Sequence, residues 1–495
     1  MESRKGARTV ALAVVIAVAG SAAVPAAFAV PGRPAVAAAA KPAVKADDFN
    51  GDGFRDVVVA APRATVNGKV NAGYVAVLHG SATQPLTAAK RVYHQDSPGV
   101  PGTAGADDGF GLAVTSADLD RDGYADLVAG APGEAGDPLA TSGSLTVFWG
   151  GRNGLAGSAI LLEGAGPHHG IGRHLAAGDF DGDGAPDIAT VEENRQLRVL
   201  SGPFGRDGSA ARSSVVRDDD DHIVQDLAAG DVNGDGRTDL AALRHQGDEY
   251  DARHAVVWPG TPAGPGPGTV VKDAKGREVE GGESIALGDI DKDRYADLVI
   301  GRPVDGYDSD LGLPLANGGM ITYVPGSARG PVGTRARVLN QDSTGIPGVA
   351  EADDGFGSGL SVADIDGDGY ADVSTGVPGE TFGGKKSAGA VVTLRGGRSG
   401  LTGTGAKVFS QDTAGMPGVA EKSDRFGSRT RLTDTNGDGR AELIVSAVGE
   451  NAGAGSVWVL RAGASGVTTA KSLTFGAKTL GMPAARAALG AAFNR

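Results

Sequence analysis

The chain has 495 residues, 82 of them Gly and none Cys, with 5% aromatic residues and a formal net charge of −14. That length accommodates several domains or one large repeat architecture, with a core built from Val, Leu, Ile and Ala. The negative charge argues against nucleic acid and anionic membrane as partners, since both select basic patches. The lack of Cys excludes disulfides and thiolate zinc sites.

Residues 1–29 read as a secretory signal peptide. Arg4, Lys5 and Arg8 form its charged start, Val10 to Val24 its apolar stretch, and Ala27-Phe28-Ala29 a small-x-small cleavage site. A membrane anchor is the competing reading. The apolar core is too short for it, and no later segment reaches the roughly 18 apolar residues that a spanning helix needs. The expected product is secreted, cleaved near Ala29, and monomeric. Losing Glu2, Arg4, Lys5 and Arg8 removes a net +2 and leaves −16. Residues 30–43, rich in Ala and Pro, form a loose leader ahead of a folded region at 44–495.

A nine-residue acidic loop then recurs seven times, at starting spacings of 70, 61, 52, 58, 75 and 70. Its polar positions are 1, 3, 5 and 9, with the backbone carbonyl of position 7 as a further oxygen. In chain order the ligand candidates are Asp48, Asn50, Asp52, Phe54 and Asp56, then Asp118, Asp120, Asp122, Tyr124 and Asp126. The third and fourth copies offer Asp179, Asp181, Asp183, Ala185 and Asp187, and Asp231, Asn233, Asp235, Arg237 and Asp239. The fifth offers Asp289, Asp291, Asp293, Tyr295 and Asp297, and the sixth Asp364, Asp366, Asp368, Tyr370 and Asp372. The seventh offers Asp434, Asn436, Asp438, Arg440 and Glu442. Alternating carboxylates gather closely only around a cation, and hard oxygen donors are what Ca²⁺ takes. Up to seven Ca²⁺ are expected. Arg294 replaces the turn glycine of the fifth loop, which marks that site as the weakest.

Each loop leads into a short apolar run, such as Val57-Val58-Val59 or Leu443-Ile444-Val445, that fits a strand covered on both faces. Gly/Ala-x-Pro punctuation often follows, as in Gly130-Ala131-Pro132 and Gly376-Val377-Pro378. Another strand opens on Gly, as at Gly73 to Leu78, Gly143 to Trp149, Gly319 to Val324, Gly389 to Leu394 and Gly455 to Leu460. A third lies at Arg91 to His94, Arg337 to Leu339 and Lys407 to Ser410. A fourth begins at Phe-Gly ahead of the loop: Phe110-Gly111, Phe356-Gly357 and Phe426-Gly427, with Ile171-Gly172 as a variant. A repeat averaging about 64 residues implies a solenoid or propeller. The expected fold is all-β, a seven-bladed β-propeller of four-stranded antiparallel blades. The first loop lacks a preceding Phe-Gly, and Leu489-Gly490 is expected to supply the missing inner strand and close the ring.

The Phe-Gly strand, acidic loop and Gly-Ala-Pro stretch together resemble the FG-GAP repeat of the integrin α-subunit propeller. The linker Gln95 to Gly102 returns as Gln341 to Gly348 and Gln411 to Gly418, and looks like those of secreted FG-GAP proteins of actinobacteria. The resemblance implies Ca²⁺ in loops on one face. It does not imply an enzyme, and integrin heterodimerisation does not carry over. Units three and four depart from the pattern: their Gly-Ala-Pro is replaced at Val191-Glu192-Glu193 and Leu243-Arg244-His245, and Ile223 stands where Phe-Gly is expected.

Other metal folds fail on the residues. An EF-hand needs Glu at position 12 of its loop, where this chain has residues such as Val59 and Ala129. A β-roll needs a nine-residue period. His168, His169 and His174 read as part of a solvated connection more than as a transition-metal site, and Asp218-Asp219-Asp220-Asp221 as a surface run. No nucleophile elbow, His-Glu-x-x-His or phosphate loop is present. The functional expectation is a calcium-binding binding or adhesion module for an extracellular protein or glycan. The alternative is a hydrolase or polysaccharide lyase on the same scaffold.

Overall fold

The structure is a computed structural model. It describes residues 45–137, 140–166, 168–216, 222–246, 253–279, 281–305 and 317–495. The signal peptide, the leader and the Asp218–Asp221 run lie outside the described residues. Residues 42–495 form one compact unit.

That unit is a seven-bladed β-propeller, each blade an antiparallel sheet of four strands. Blade one comprises Ala492–Phe493, Val57–Ala61, Tyr74–Leu78 and Lys90–Tyr93, from the inner strand outwards. Blade two comprises Val114–Ala117, Asp126–Ala131, Ser144–Phe148 and Ser158–Glu163, and blade three Leu175–Gly178, Asp187–Glu192, Gln196–Ser201 and Arg212–Val216. Blade four runs His222–Gly230, Asp239–Gln246, His254–Trp258 and Thr269–Val270; blade five runs Ser284–Gly288, Asp297–Arg302, Met320–Val324 and Arg337–Leu339. Blades six and seven are Ser358–Ala363, Asp372–Val377, Ala390–Arg395 and Thr402–Phe409, then Phe426–Thr433, Glu442–Ala447, Ser456–Gly463 and Gly466–Gly476.

The apolar runs follow from burial on both faces. Val57 and Val59 point towards blade seven and meet Ile444 and Val457, whereas Val58 and Ala60 point towards blade two and meet Leu127 and Ala129. The side-chain period is still two, but each face is covered by a neighbour. An apolar cluster of this kind fills each junction between adjacent blades, the one between blades seven and one included.

Phe-Gly and Gly-x-Pro are the close contacts between blades. Gly389 opens a third strand at φ 89°, and a Cβ there would strike the backbone of Phe426 in the next blade. A Cβ on Gly376 would strike the carbonyl of Gly427. Leu489 occupies the place of the Phe in blade one: it is fully buried, and its backbone lies against Gly455. The Gly490 amide donates to the Ala60 carbonyl at 2.9 Å, and the Val58 amide to Asn494 Oδ1 at 2.9 Å. The ring thus closes through Leu489-Gly490 as expected, with the paired strand itself at Ala492–Phe493.

Blade four lacks the Phe-Gly pair. Its inner strand bulges between Val224 and Asp226, and Val224 and Leu227 take the buried positions while Ile223 is half-buried. The outer strand of blade six begins at Thr402, earlier than the expected Lys407.

Candidate metal centres

Six acidic loops join an inner strand to the second strand, and the first leads into the second strand of blade one, so antiparallel alternation puts all seven at one end of the ring. Position 2 is an apolar or Thr side chain that anchors the loop in the core: Phe49, Leu119, Phe180, Val232, Ile290, Ile365 and Thr435 are all buried. The Asp at position 1 folds the turn. In loop six, Asp364 Oδ1 accepts the Gly367 amide at 2.7 Å and Oδ2 the Gly369 amide at 2.7 Å. Asp368 Oδ1 accepts the Tyr370 amide at 2.9 Å. Loop five keeps this shape despite Arg294, whose amide reaches Asp289 Oδ2 at 2.9 Å with φ 76°. A side chain at that φ carries strain that the six glycine loops avoid.

Position 9 is a clamp. Asp372 Oδ2 accepts the Ile365 amide at 3.0 Å, and Oδ1 accepts the Gly396 amide, just past the third strand, at 2.9 Å. Five further loops repeat both bonds, through Asp56, Asp126, Asp187, Asp239 and Asp297. In loop seven the longer Glu442 takes the Thr435 amide at 3.0 Å and the Thr435 hydroxyl at 2.8 Å. These carboxylates are buried, and burial pushes Asp126, Asp297 and Asp372 up to about 7 and Asp187 up to about 6, against the lowering by their backbone donors. Such groups are costly as bare anions.

Carboxylate oxygens converge within 4.8 Å of one another in Asp118/Asp120/Asp122, Asp179/Asp181/Asp187, Asp289/Asp291/Asp297 and Asp364/Asp366/Asp372. Asp291 Oδ1 is buried without a hydrogen-bond partner. Several carboxylates, a backbone carbonyl at position 7 and no soft donor make a set that fits an oxygen-ligated divalent cation.

The FG-GAP repeat family model matches residues 43–78, 110–148, 356–394 and 426–460, which fall in blades one, two, six and seven. The chain carries FG-GAP repeats. It is 29% identical over 197 residues to phosphatidylinositol-glycan-specific phospholipase D of Rattus norvegicus, covering 38% of this chain and 22% of that protein. It is 32% identical over 154 residues to integrin alpha-PS5 of Drosophila melanogaster, covering 30% and 14%, respectively. Integrin alpha-8 of Mus musculus is 25% identical over 248 residues, covering 49% and 21%. The matched region thus spans about a fifth or less of the length of these relatives.

The FG-GAP loops also draw in basic side chains that the sequence did not single out. Arg395, at the end of a third strand, inserts among Asp366, Asp368 and Asp372, with its Nε 3.2 Å from Asp372 Oδ1. Arg206 reaches Asp120 and Asp122 at 2.6 Å each, and His79 Nδ1 lies 3.0 Å from Asp56 Oδ2. Arg395 and His79 hold equivalent places, just before Gly396 and Gly80, but the residue type there changes from blade to blade and gives no repeated signal.

The three histidines are not brought together. His168 is exposed and His169 lies 3.5 Å from Glu193, while His174 lines the central cavity, where burial pushes it down to about 4. That cavity of about 360 Å³ is also lined by Arg173, Asp226, Glu283, Arg429 and Arg495. Asp226 there is held by Arg495 at 2.5 Å and by the Ile285 amide at 3.0 Å.

Proposed function

We propose that this FG-GAP propeller is an exported binding or adhesion module for a protein or glycan, with Ca²⁺ serving structure in the seven loops. On this reading residues 1–29 are removed near Ala29, 30–43 form a leader and 44–495 fold as a monomer. Among the described residues no helix is long and apolar enough to cross a membrane. Ca²⁺ would be held by the side chains at positions 1, 3, 5 and 9 of each loop and the carbonyl at position 7. It would supply positive charge to the buried position-9 carboxylates. The protein groups do the rest: position 1 folds the turn, position 2 anchors it, and position 9 ties it to the third strand.

The observation that carries the binding reading is the separation of the two ends of the ring. The acidic loops occupy one end. At the other end, the turns and linkers expose Val70, Val349 and Val419, at 57, 66 and 64% of their full surface. Val349 and Val419 hold equivalent places in repeated linkers, so the exposure is patterned. The likeness to integrin α chains supports a partner-binding role by analogy. In the central cavity Asp226 is held in an ion pair with Arg495, which favours its ionised form.

Protein and glycan arrays probed with the full chain, with and without Ca²⁺, test this. Capture of a partner that a Val70→Asp/Val349→Asp/Val419→Asp variant loses at unchanged melting temperature is the expected result. Hydrolysis or elimination on a polysaccharide panel, with no capture, overturns it.

A further inference from the structure

The end of the ring opposite the FG-GAP loops carries a second repeated polar cluster. It joins the linker after one blade's outer strand to the turn that follows the next blade's second strand. Between blades one and two it consists of Gln95, Asp108 and Glu134. Between blades five and six it is Gln341, Asp354 and Glu380, with Glu351 added, and between six and seven it is Gln411, Asp424 and Glu450, with Glu421 added. The Gln and Glu are 39 residues apart in each case.

The geometry repeats with the sequence. Gln341 Nε2 donates to Glu380 at 2.6 Å and Gln411 Nε2 to Glu450 at 2.7 Å, and Gln95 donates to Glu134 in the same way. The amide just before each Glu donates to the backbone carbonyl of the Asp: Gly133 to Asp108 at 3.0 Å, Gly379 to Asp354 at 2.8 Å and Gly449 to Asp424 at 3.0 Å. One Asp oxygen accepts a backbone amide, as Asp354 Oδ2 does from Glu351 at 2.8 Å. Asp108, Asp354 and Asp424 are 2–3% exposed. Oxygens of Glu351, Asp354 and Glu380 lie within 4.8 Å of one another.

Two features are left over. A buried Asp faces a half-buried Glu in each cluster, and among the described residues neither is in an ion pair. The second feature is the glutamine. Gln95, Gln341 and Gln411 are 2–3% exposed, and Oε1 of each is buried with no hydrogen-bond partner, although Nε2 of the same amide is bonded into the cluster. A buried amide oxygen without a partner is costly, and its repetition three times points to a missing electrophile. Carboxylate and amide oxygens alone form a hard donor set.

We propose that these three clusters are interblade sites for a divalent cation of the calcium class, each holding the ion with Gln Oε1 and the Glu and Asp carboxylates. Their residues are separate from the FG-GAP loops, so the sites stand independently of the loops' occupancy. Each ion would pin one blade's outer linker to the next blade. The sites with Glu351 and Glu421 bind more tightly than the one where Gly105 stands at the equivalent place. In blade one Ala64 replaces the Glu, and no such site forms between blades seven and one.

The test is anomalous diffraction from crystals of the full chain grown in calcium chloride and exchanged with terbium. The expected result is peaks beside Glu380 and Glu450, with a weaker one beside Glu134, about 2.3–2.6 Å from the Gln Oε1. In solution, equilibrium dialysis against calcium should show the Glu134→Gln/Glu380→Gln/Glu450→Gln variant binding up to three fewer ions per chain. Peaks at the FG-GAP loops alone, with no change in dialysed calcium in the variant, overturn the proposal. Peaks beside the Glu residues with empty loops support it while contradicting the loop reading.

Discussion

The carbonyl of Asp289 accepts the amide hydrogen of Ala371 at 3.0 Å, tying the acidic loop of blade five to that of blade six. Asp48 and Ala125, Asp179 and Thr238, Asp231 and Ala296, and Asp364 and Ala441 are joined in the same way, at 2.8–3.0 Å. Each donor amide belongs to the peptide that also carries the position-7 carbonyl. A cation on that carbonyl polarises the peptide and strengthens the bond to the preceding loop. Between blades two and three the chain is broken, because Pro186 stands at position 8 and has no amide hydrogen.

Calcium binding is therefore expected to be cooperative between neighbouring loops, with a Hill coefficient above 1 in a calcium titration followed by tryptophan fluorescence. Restoring the missing donor with Pro186→Ala should steepen the titration. Identical, non-cooperative curves for both proteins would show that the loops act alone.

Positions 9 and 5 of a loop should differ in kind. Asp372 satisfies two buried amides, so Asp372→Ala is expected to cost about 2–6 kcal/mol even without calcium, each orphaned donor being worth roughly 1–3 kcal/mol. Asp368 is 42% exposed on its side chain and satisfies one amide, that of Tyr370, so Asp368→Ala should cost less than Asp372→Ala without calcium and lower stability most when calcium is present. Urea unfolding of both variants, with metal and without, checks the contrast.

The metal-free protein should be less stable at pH 8 than at pH 5. Asp126, Asp297 and Asp372 at about 7, and Asp187 at about 6, sit above the ordinary carboxylate value near 3.9. Between those limits the folded chain holds more protons than the unfolded one, so stability falls as pH rises through roughly 4 to 7. Bound calcium favours the ionised carboxylates and should flatten or invert that trend. Melting temperatures of exhaustively dialysed protein across this range test it, and a steady rise towards pH 8 would contradict it.

Closure of the ring rests on few residues. Leu489 is fully buried between blades seven and one, so Leu489→Ala is expected to cost about 2–5 kcal/mol. Removing residues 486–495 should cost more, because blade one then loses its inner strand along with Leu489 and Phe493. Calorimetry of both proteins checks this.

Much of this was legible in the sequence, for a physical reason. The acidic loops, the Phe-Gly pairs and the glycines opening third strands answer to local backbone demands, and seven repetitions make such demands visible. The position of Leu489 could be read because a ring needs seven equal junctions. Blade four was less legible, since it lacks the Phe-Gly pair that marks where the inner strand starts, and its register shift at Val224/Asp226 is announced by no motif. The side chains entering the loops, Arg395, Arg206 and His79, were not found, because their residue type is not repeated from blade to blade. The pairing of Gln95, Gln341 and Gln411 with Glu134, Glu380 and Glu450 did carry one, a constant separation of 39, but only the linker half of it stood out.

The most direct measurement is differential scanning calorimetry of the full chain in calcium and in EGTA at neutral pH. At ten times its Kd an ion adds about 1.4 kcal/mol, so seven independent loops add roughly 10 kcal/mol. The melting temperature is expected to fall by more than about 10 °C on chelation. A melting temperature indifferent to EGTA would contradict a structural role for metal in the loops.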